Sequence, residues 1–138
     1  MSRIIAFLAA VCLSLSAAAE RKQSAGDLDV HYSVFNSSYI QPDIAAAAGL
    51  VRSKTQGVVN VAVLKSGKPS TAVVAGQFKD LLGKQHALNF REVTDAGAIY
   101  YLAQFPIASR EVLNFTLDVR QGDTPQRITF SQEMFPDE

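Results

Sequence analysis

The pattern that most restricts the fold is an alternation of apolar and polar side chains with period two. It is cleanest from Leu113 to Val119, where Leu113, Phe115, Leu117 and Val119 fall on one face and Asn114, Thr116 and Asp118 on the other. Successive side chains of a strand point to opposite faces, so this is the mark of a half-buried strand. Leu28, Val30, Tyr32 and Val34 alternate with Asp29, His31 and Ser33 in the same way, and Ile128 and Phe130 alternate with Arg127, Thr129 and Ser131. Val58 to Leu64 is apolar on both faces apart from Asn60, which suits a central strand covered on both sides. Thr71 to Phe78, Ala87 to Val93 and Ala98 to Phe105 complete a set of about seven short strands.

Turn residues punctuate these runs. Ser66-Gly67-Lys68-Pro69, Gly83-Lys84-Gln85, Asp95-Ala96-Gly97 and Gln121-Gly122-Asp123 all tolerate turn dihedrals. The pattern predicts an all-β, immunoglobulin-like antiparallel sandwich. One segment departs from it. Pro42-Asp43-Ile44-Ala45-Ala46-Ala47-Ala48-Gly49 reads as a short helix, with proline in its first turn and glycine at its end. So short a helix is not stable alone, and is expected to pack on the sheet through Ile44 and Leu50.

The N-terminus has a different character. Arg3 precedes an almost wholly apolar run from Ile4 to Leu15, followed by Ser16-Ala17-Ala18-Ala19. This is the form of a secretory signal peptide, and Ala17-x-Ala19 places the expected cut before Glu20. The run is shorter than the roughly 20 apolar residues of a membrane span, so no stable span is expected after cleavage. Cys12 lies inside the apolar run behind Val11, which does not suit a lipidation site. The expected organisation is therefore a signal peptide over 1–19, a flexible lead-in over 20–26 and one sandwich domain over 27–138, with a tail that frays from Phe135.

Cleavage bounds the chemistry. Removing 19 of the 138 residues leaves 119, enough for a real core. Losing Arg3 leaves 12 basic against 13 acidic residues, a net charge near −1. With no basic excess, nucleic acid and anionic membrane surfaces are poor candidate partners. The only cysteine leaves with the signal, and with it every disulfide, thiol nucleophile and cysteine metal site.

No motif points to catalysis or to a cofactor. His31, His86 and Met134 lack the paired spacing of a metal site. There is no Gly-x-Ser-x-Gly elbow. A triad of Ser37, His31 and Asp29 would have to assemble in space, because nothing in the spacing demands it. The candidate binding surface is the segment Asn36-Ser37-Ser38-Tyr39-Ile40-Gln41-Pro42. It carries amide, hydroxyl and aromatic groups out of a clean strand, and sandwich loops are where binding usually sits. Its candidate residues are Asn36, Ser37, Tyr39 and Gln41, with Arg52 contributed by the stretch after the helix. The competing interpretation is that Asn36 and Ser37 cap a turn, Tyr39 packs and Arg52 is solvated.

Two resemblances add to this. Ala98-Ile99-Tyr100-Tyr101-Leu102 after Asp95 resembles the tyrosine corner of immunoglobulin domains, which implies that Tyr100 ties a loop to the sandwich and Leu102 faces the core. Val30 to Ser37, Gln56 to Leu64, Ile99 to Phe105 and Glu133-Met134-Phe135-Pro136 together resemble a family of small exported Gram-negative bacterial proteins known only as a domain of unknown function. That resemblance implies a periplasmic location and supplies no activity. The expected function is a non-catalytic accessory or binding module for another envelope protein or a modest ligand. The alternatives are a small hydrolase or metal carrier using His31 and His86, and a structural subunit that pairs through a sheet edge.

Overall fold

The structure, a computed structural model, describes residues 21–136. The signal segment and its expected cut at Ala19 and Glu20 lie outside the described residues. The described chain runs β1 (Arg21–Ala25), β2 (Leu28–Asn36), a 3-10 turn (Ser37–Tyr39), α1 (Pro42–Ala48), β3 (Gln56–Lys65), β4 (Lys68–Ser70), β5 (Val73–Lys79), β6 (Gln85–Leu88), β7 (Arg91–Asp95), β8 (Ala98–Pro106), β9 (Glu111–Gln121) and β10 (Thr124–Met134). These strands make two antiparallel sheets. The larger has the order β1-β2-β3-β8-β7 with β4 on the end of β3; the smaller has the order β10-β9-β5-β6. The predicted all-β sandwich with one short helix is the observed architecture.

The alternating residues behave as their period requires. Leu113, Phe115, Leu117 and Val119 of β9 are buried between the sheets, opposite Val30, Val34, Val59, Val61 and Val63 of the larger sheet. Phe78, Phe105, Phe115 and Phe130 form a chain of ring contacts through this core, with centroids 5.1 to 5.7 Å apart. Offset and edge-on contacts at such distances favour aromatic pairs beyond the area they bury. Gly57 makes room for one of these rings, since a Cβ there would collide with the ring of Phe105.

The larger sheet is covered on its outer face as well. Ile40, Ala45, Ala48, Val58, Val93 and Leu102 form a second, smaller core between that face and α1. The central strand β3 therefore serves both cores, Val59, Val61 and Val63 the inner and Val58 the outer, as its two-faced apolar run predicts. Helix α1 spans the expected residues. Gly49 ends it at φ +68°, the left-handed conformation that glycine adopts without strain, and the Leu50 amide donates back to Ala45 O at 2.8 Å. The Arg91 guanidinium donates to the orphan carbonyl of Ala48 at 3.0 Å.

Several expectations are corrected. The lead-in expected to be flexible is β1, paired with β2 from Arg21↔Tyr32 to Ala25↔Leu28. Its residues are exposed or half-buried, so no burial pattern marks it in the sequence. It closes one edge of the sandwich: Gln23 donates to Gln126 Oε1 at 3.1 Å, and Arg21 lies 5.0 Å over the Phe130 ring. Ala87 to Val93, expected as one strand, is divided between the sheets. β6 pairs with β5 and β7 pairs with β8. A phase slip explains the break. Leu88 and Phe90 keep period two and face the inner core, whereas Val93 is out of phase with them and faces the outer one. The segment after β10 is held at Phe135, whose carbonyl accepts from Asn36 Nδ2 at 3.1 Å.

Candidate binding pocket

A cavity of about 240 Å³ opens on the outer face of the larger sheet, beside α1. The sheet side is built by Phe35 from β2, Asn60 from β3, and Tyr100 and Leu102 from β8. The register brings them together: Asn60 lies opposite Ser33 on one side and Leu102 on the other, so all project from the same face. The other wall is Tyr39, Ile40 and Gln41 from the loop and Ile44 from α1. The loop anticipated as a binding surface therefore borders a cavity.

The five candidate residues divide into two groups. Tyr39 and Gln41 line the cavity, and Tyr39 is 72% exposed. Asn36, Ser37 and Arg52 hold the loop in place. Ser37 is wholly buried; its Oγ donates to Ser53 O at 3.0 Å and accepts from Ser53 N at 2.8 Å. Arg52 Nη2 donates to Ser38 O at 3.1 Å, and Asn36 is bonded to Phe135 as above. Gln104 fastens the stretch after the helix, donating to Val51 O at 2.6 Å and accepting from Val51 N at 3.1 Å. The sheet-side residues of the pocket were not singled out as a site from the sequence. Asn60 carries the one available signal, as the lone polar side chain in an apolar run.

Asn60 is also the chemical centre of the cavity. Its Oδ1 is buried and has no hydrogen-bond partner among the described residues. A buried acceptor left unpaired costs about 1–3 kcal/mol. The remaining polar groups on the lining are two phenols and the Gln41 amide; no carboxylate, imidazole or thiol lines the pocket. It is thus equipped to hold a ligand and lacks a group suited to general acid–base work near neutral pH.

The other chemical candidates do not converge. The Ser37 hydroxyl is committed to Ser53, and the Asp29 carboxylate accepts from Ser24 Oγ. His31 is on β2 of the larger sheet and His86 on β6 of the smaller one. Among the described residues no group of three or more His, Cys, Asp or Glu side chains could hold a metal ion. His86 stacks on Phe78 at 4.7 Å and bonds Asp80 Oδ2 at 2.9 Å. That bond, with the Lys84 and Leu82 amides, holds the Asp80 carboxyl below the usual carboxylate range. The corner-like tyrosine is Tyr101, one residue beyond the expected Tyr100. Its hydroxyl donates to Glu92 Oε1 at 2.7 Å and accepts from the Ala72 amide at 2.8 Å, while Tyr100 faces the outer pocket. Leu102 is buried, in the outer core rather than between the sheets.

Fold and pocket define the class: an antiparallel β-sandwich with, among the described residues, one α-helix packed on the outside of its larger sheet and an apolar cavity beside that helix. The chain belongs to the family described as Domain of unknown function (DUF4426), which it matches over residues 22–137. It is similar to a DUF4426 family protein from Pseudomonas aeruginosa of known crystal structure, at 57% identity and a TM-score of 0.82, covering 86% of this chain and 97% of that one. Two solved structures of FetP from a uropathogenic Escherichia coli strain share the fold at 8% identity. The first, FetP as isolated after expression in the periplasm, has a TM-score of 0.64 and covers 87% of this chain and 96% of that one. The second, a copper-bound variant, has a TM-score of 0.62 and covers 84% and 95%. No curated protein matches the chain.

Proposed function

We propose that this protein is a non-catalytic binding module of the bacterial periplasm whose outer pocket takes a small aromatic ligand carrying an N–H or O–H donor. The observation that carries this is the unpartnered Asn60 Oδ1 in a residue that lines an aromatic and aliphatic cavity. At about 240 Å³ the cavity is below the usual 300–1,000 Å³ of drug-sized sites, so the ligand is of fragment size. Phe35 and Tyr100 supply aromatic rings, Tyr39 stands at an exposed wall, and a rotation of the Asn60 carboxamide presents its acceptor to the donor. The periplasmic assignment rests on the signal-like segment at 1–19 and on the fold shared with FetP, a protein expressed in that compartment. Copper is named only for that relative, and the ligand poverty of the described residues here does not favour carrying it over.

Indole is a suitable probe, being flat, apolar and a single N–H donor. Thermal unfolding with and without indole is expected to show stabilisation of the wild type, reduced for Tyr39→Ala and absent for Asn60→Leu. Equal stabilisation of all three would place binding elsewhere. The location has its own test. N-terminal sequencing of protein released from the periplasm is expected to begin at Glu20, and recovery of intact Met1 in the cytoplasmic fraction alone would contradict the assignment.

A further inference from the structure

The hairpin between β5 and β6 is built around Asp80-Leu81-Leu82-Gly83-Lys84, and its two leucines point at nothing. Leu82 is 95% exposed and Leu81 67% exposed. A convex apex of this kind stands out because every backbone amide in it is already satisfied. Asp80 N donates to Lys84 O, Gly83 N to Asp80 O, and Leu82 N and Lys84 N both to Asp80 Oδ1. Leu81 N donates to Glu111 Oε2 at 3.3 Å. His86 takes the second oxygen of Asp80, so that carboxylate is engaged at both ends. Irregular backbone enters an apolar medium only when its polar groups are bonded internally; this tip meets that condition at its five amides but not at the Leu81, Leu82 and Gly83 carbonyls, which restricts it to the interfacial depth.

Charge at the tip is balanced in number, two lysines against Asp80 and Glu111, but both carboxylates are bonded within the hairpin and its neighbour whereas the ammonium groups point to solvent. Lys79 and Lys84 bracket the leucines, and neither makes an ion pair among the described residues. Glu111, which holds Leu81, pairs across the ladder with Met134, so the half-exposed Phe135 emerges at the same end. We propose that the Leu81–Leu82 tip is an interfacial anchor that inserts into a lipid bilayer, with Lys79 and Lys84 at the level of anionic headgroups. Overall net charge argues against adsorption of the whole molecule by electrostatics. Insertion needs only a local apolar point with cations at its base. A protein partner would need a groove shaped to two leucines, whereas acyl chains conform to a convex tip.

The test is co-sedimentation of the protein recovered from the cell envelope with vesicles of phosphatidylethanolamine and phosphatidylglycerol. Leu81→Asp with Leu82→Asp is expected to lower partitioning by roughly tenfold or more. Lys79→Glu with Lys84→Glu is expected to lower it on these vesicles and not on phosphatidylcholine alone, and added salt should reproduce that loss. All variants share one N-terminus, so the difference reads the tip alone. Unchanged thermal unfolding shows that each is folded. Because the chain has no tryptophan, Leu82→Trp supplies a unique probe whose emission should shift to the blue on vesicles. Absence of wild-type binding, partitioning indifferent to the double Asp substitution, or no spectral shift would each overturn the proposal.

Discussion

At the scale of single residues, Asn60 separates stability from binding. Leucine at this position removes an unpaired buried acceptor while keeping the volume, so Asn60→Leu is expected to raise stability by about 1 kcal/mol. The same change should abolish indole binding. Chemical denaturation of the two proteins measures the first effect, and a destabilised variant would contradict the reading of Oδ1 as unpaired. Tyr101 is the opposite case. Its hydroxyl bridges the Ala72 amide and Glu92, and burial followed by the Glu92 bond raises its pKa above the ordinary 10.0. Tyr101→Phe should cost about 1–2 kcal/mol. Asp80 gives a pH dependence. Its folded pKa lies below the unfolded one, so its contribution is present above the unfolded value of 3.8 and is lost as pH falls further through the folded value. Acid unfolding of Asp80→Asn should lack that limb.

At the scale of elements, α1 and its cap are the sharpest case. A side chain on Gly49 meets both a left-handed φ and the Arg91 guanidinium, so Gly49→Ala should cost about 1–2 kcal/mol and loosen the pocket wall. Thermal unfolding with the indole titration reads both effects. This helix was legible because its information is local: proline at the start, alanines within, glycine at the stop. β2, β3 and β9 were legible because burial of a face imposes a period. β1 was not, because Arg21-Lys22-Gln23-Ser24-Ala25 buries no face and is a strand only through its ladder with β2. The division of Ala87 to Val93 was written in the phase of Leu88, Phe90 and Val93, but only a known second core gives that slip a meaning. The pocket was half legible for the same reason. Tyr39 and Gln41 stand on one loop, whereas Phe35, Asn60, Tyr100 and Leu102 come from three strands that register alone aligns.

At the scale of the whole molecule, the described residues hold no cysteine, so the two apolar cores carry the fold without a covalent staple. Phe115 sits where the rings of Phe78, Phe105 and Phe130 meet, and Phe115→Ala is expected to cost about 3–5 kcal/mol in equilibrium unfolding. The inner core fills the space between the sheets, and the function proposed above is assigned to the space between the larger sheet and the loop–helix segment. The most direct test of that claim is an indole titration followed by nuclear magnetic resonance on isotopically labelled protein. The largest shifts are expected at the Asn60 side-chain amide and at the rings of Tyr39 and Tyr100, and the ring shifts are expected to vanish in Asn60→Leu. Shifts confined to other surfaces, or unchanged by that substitution, would contradict the claim.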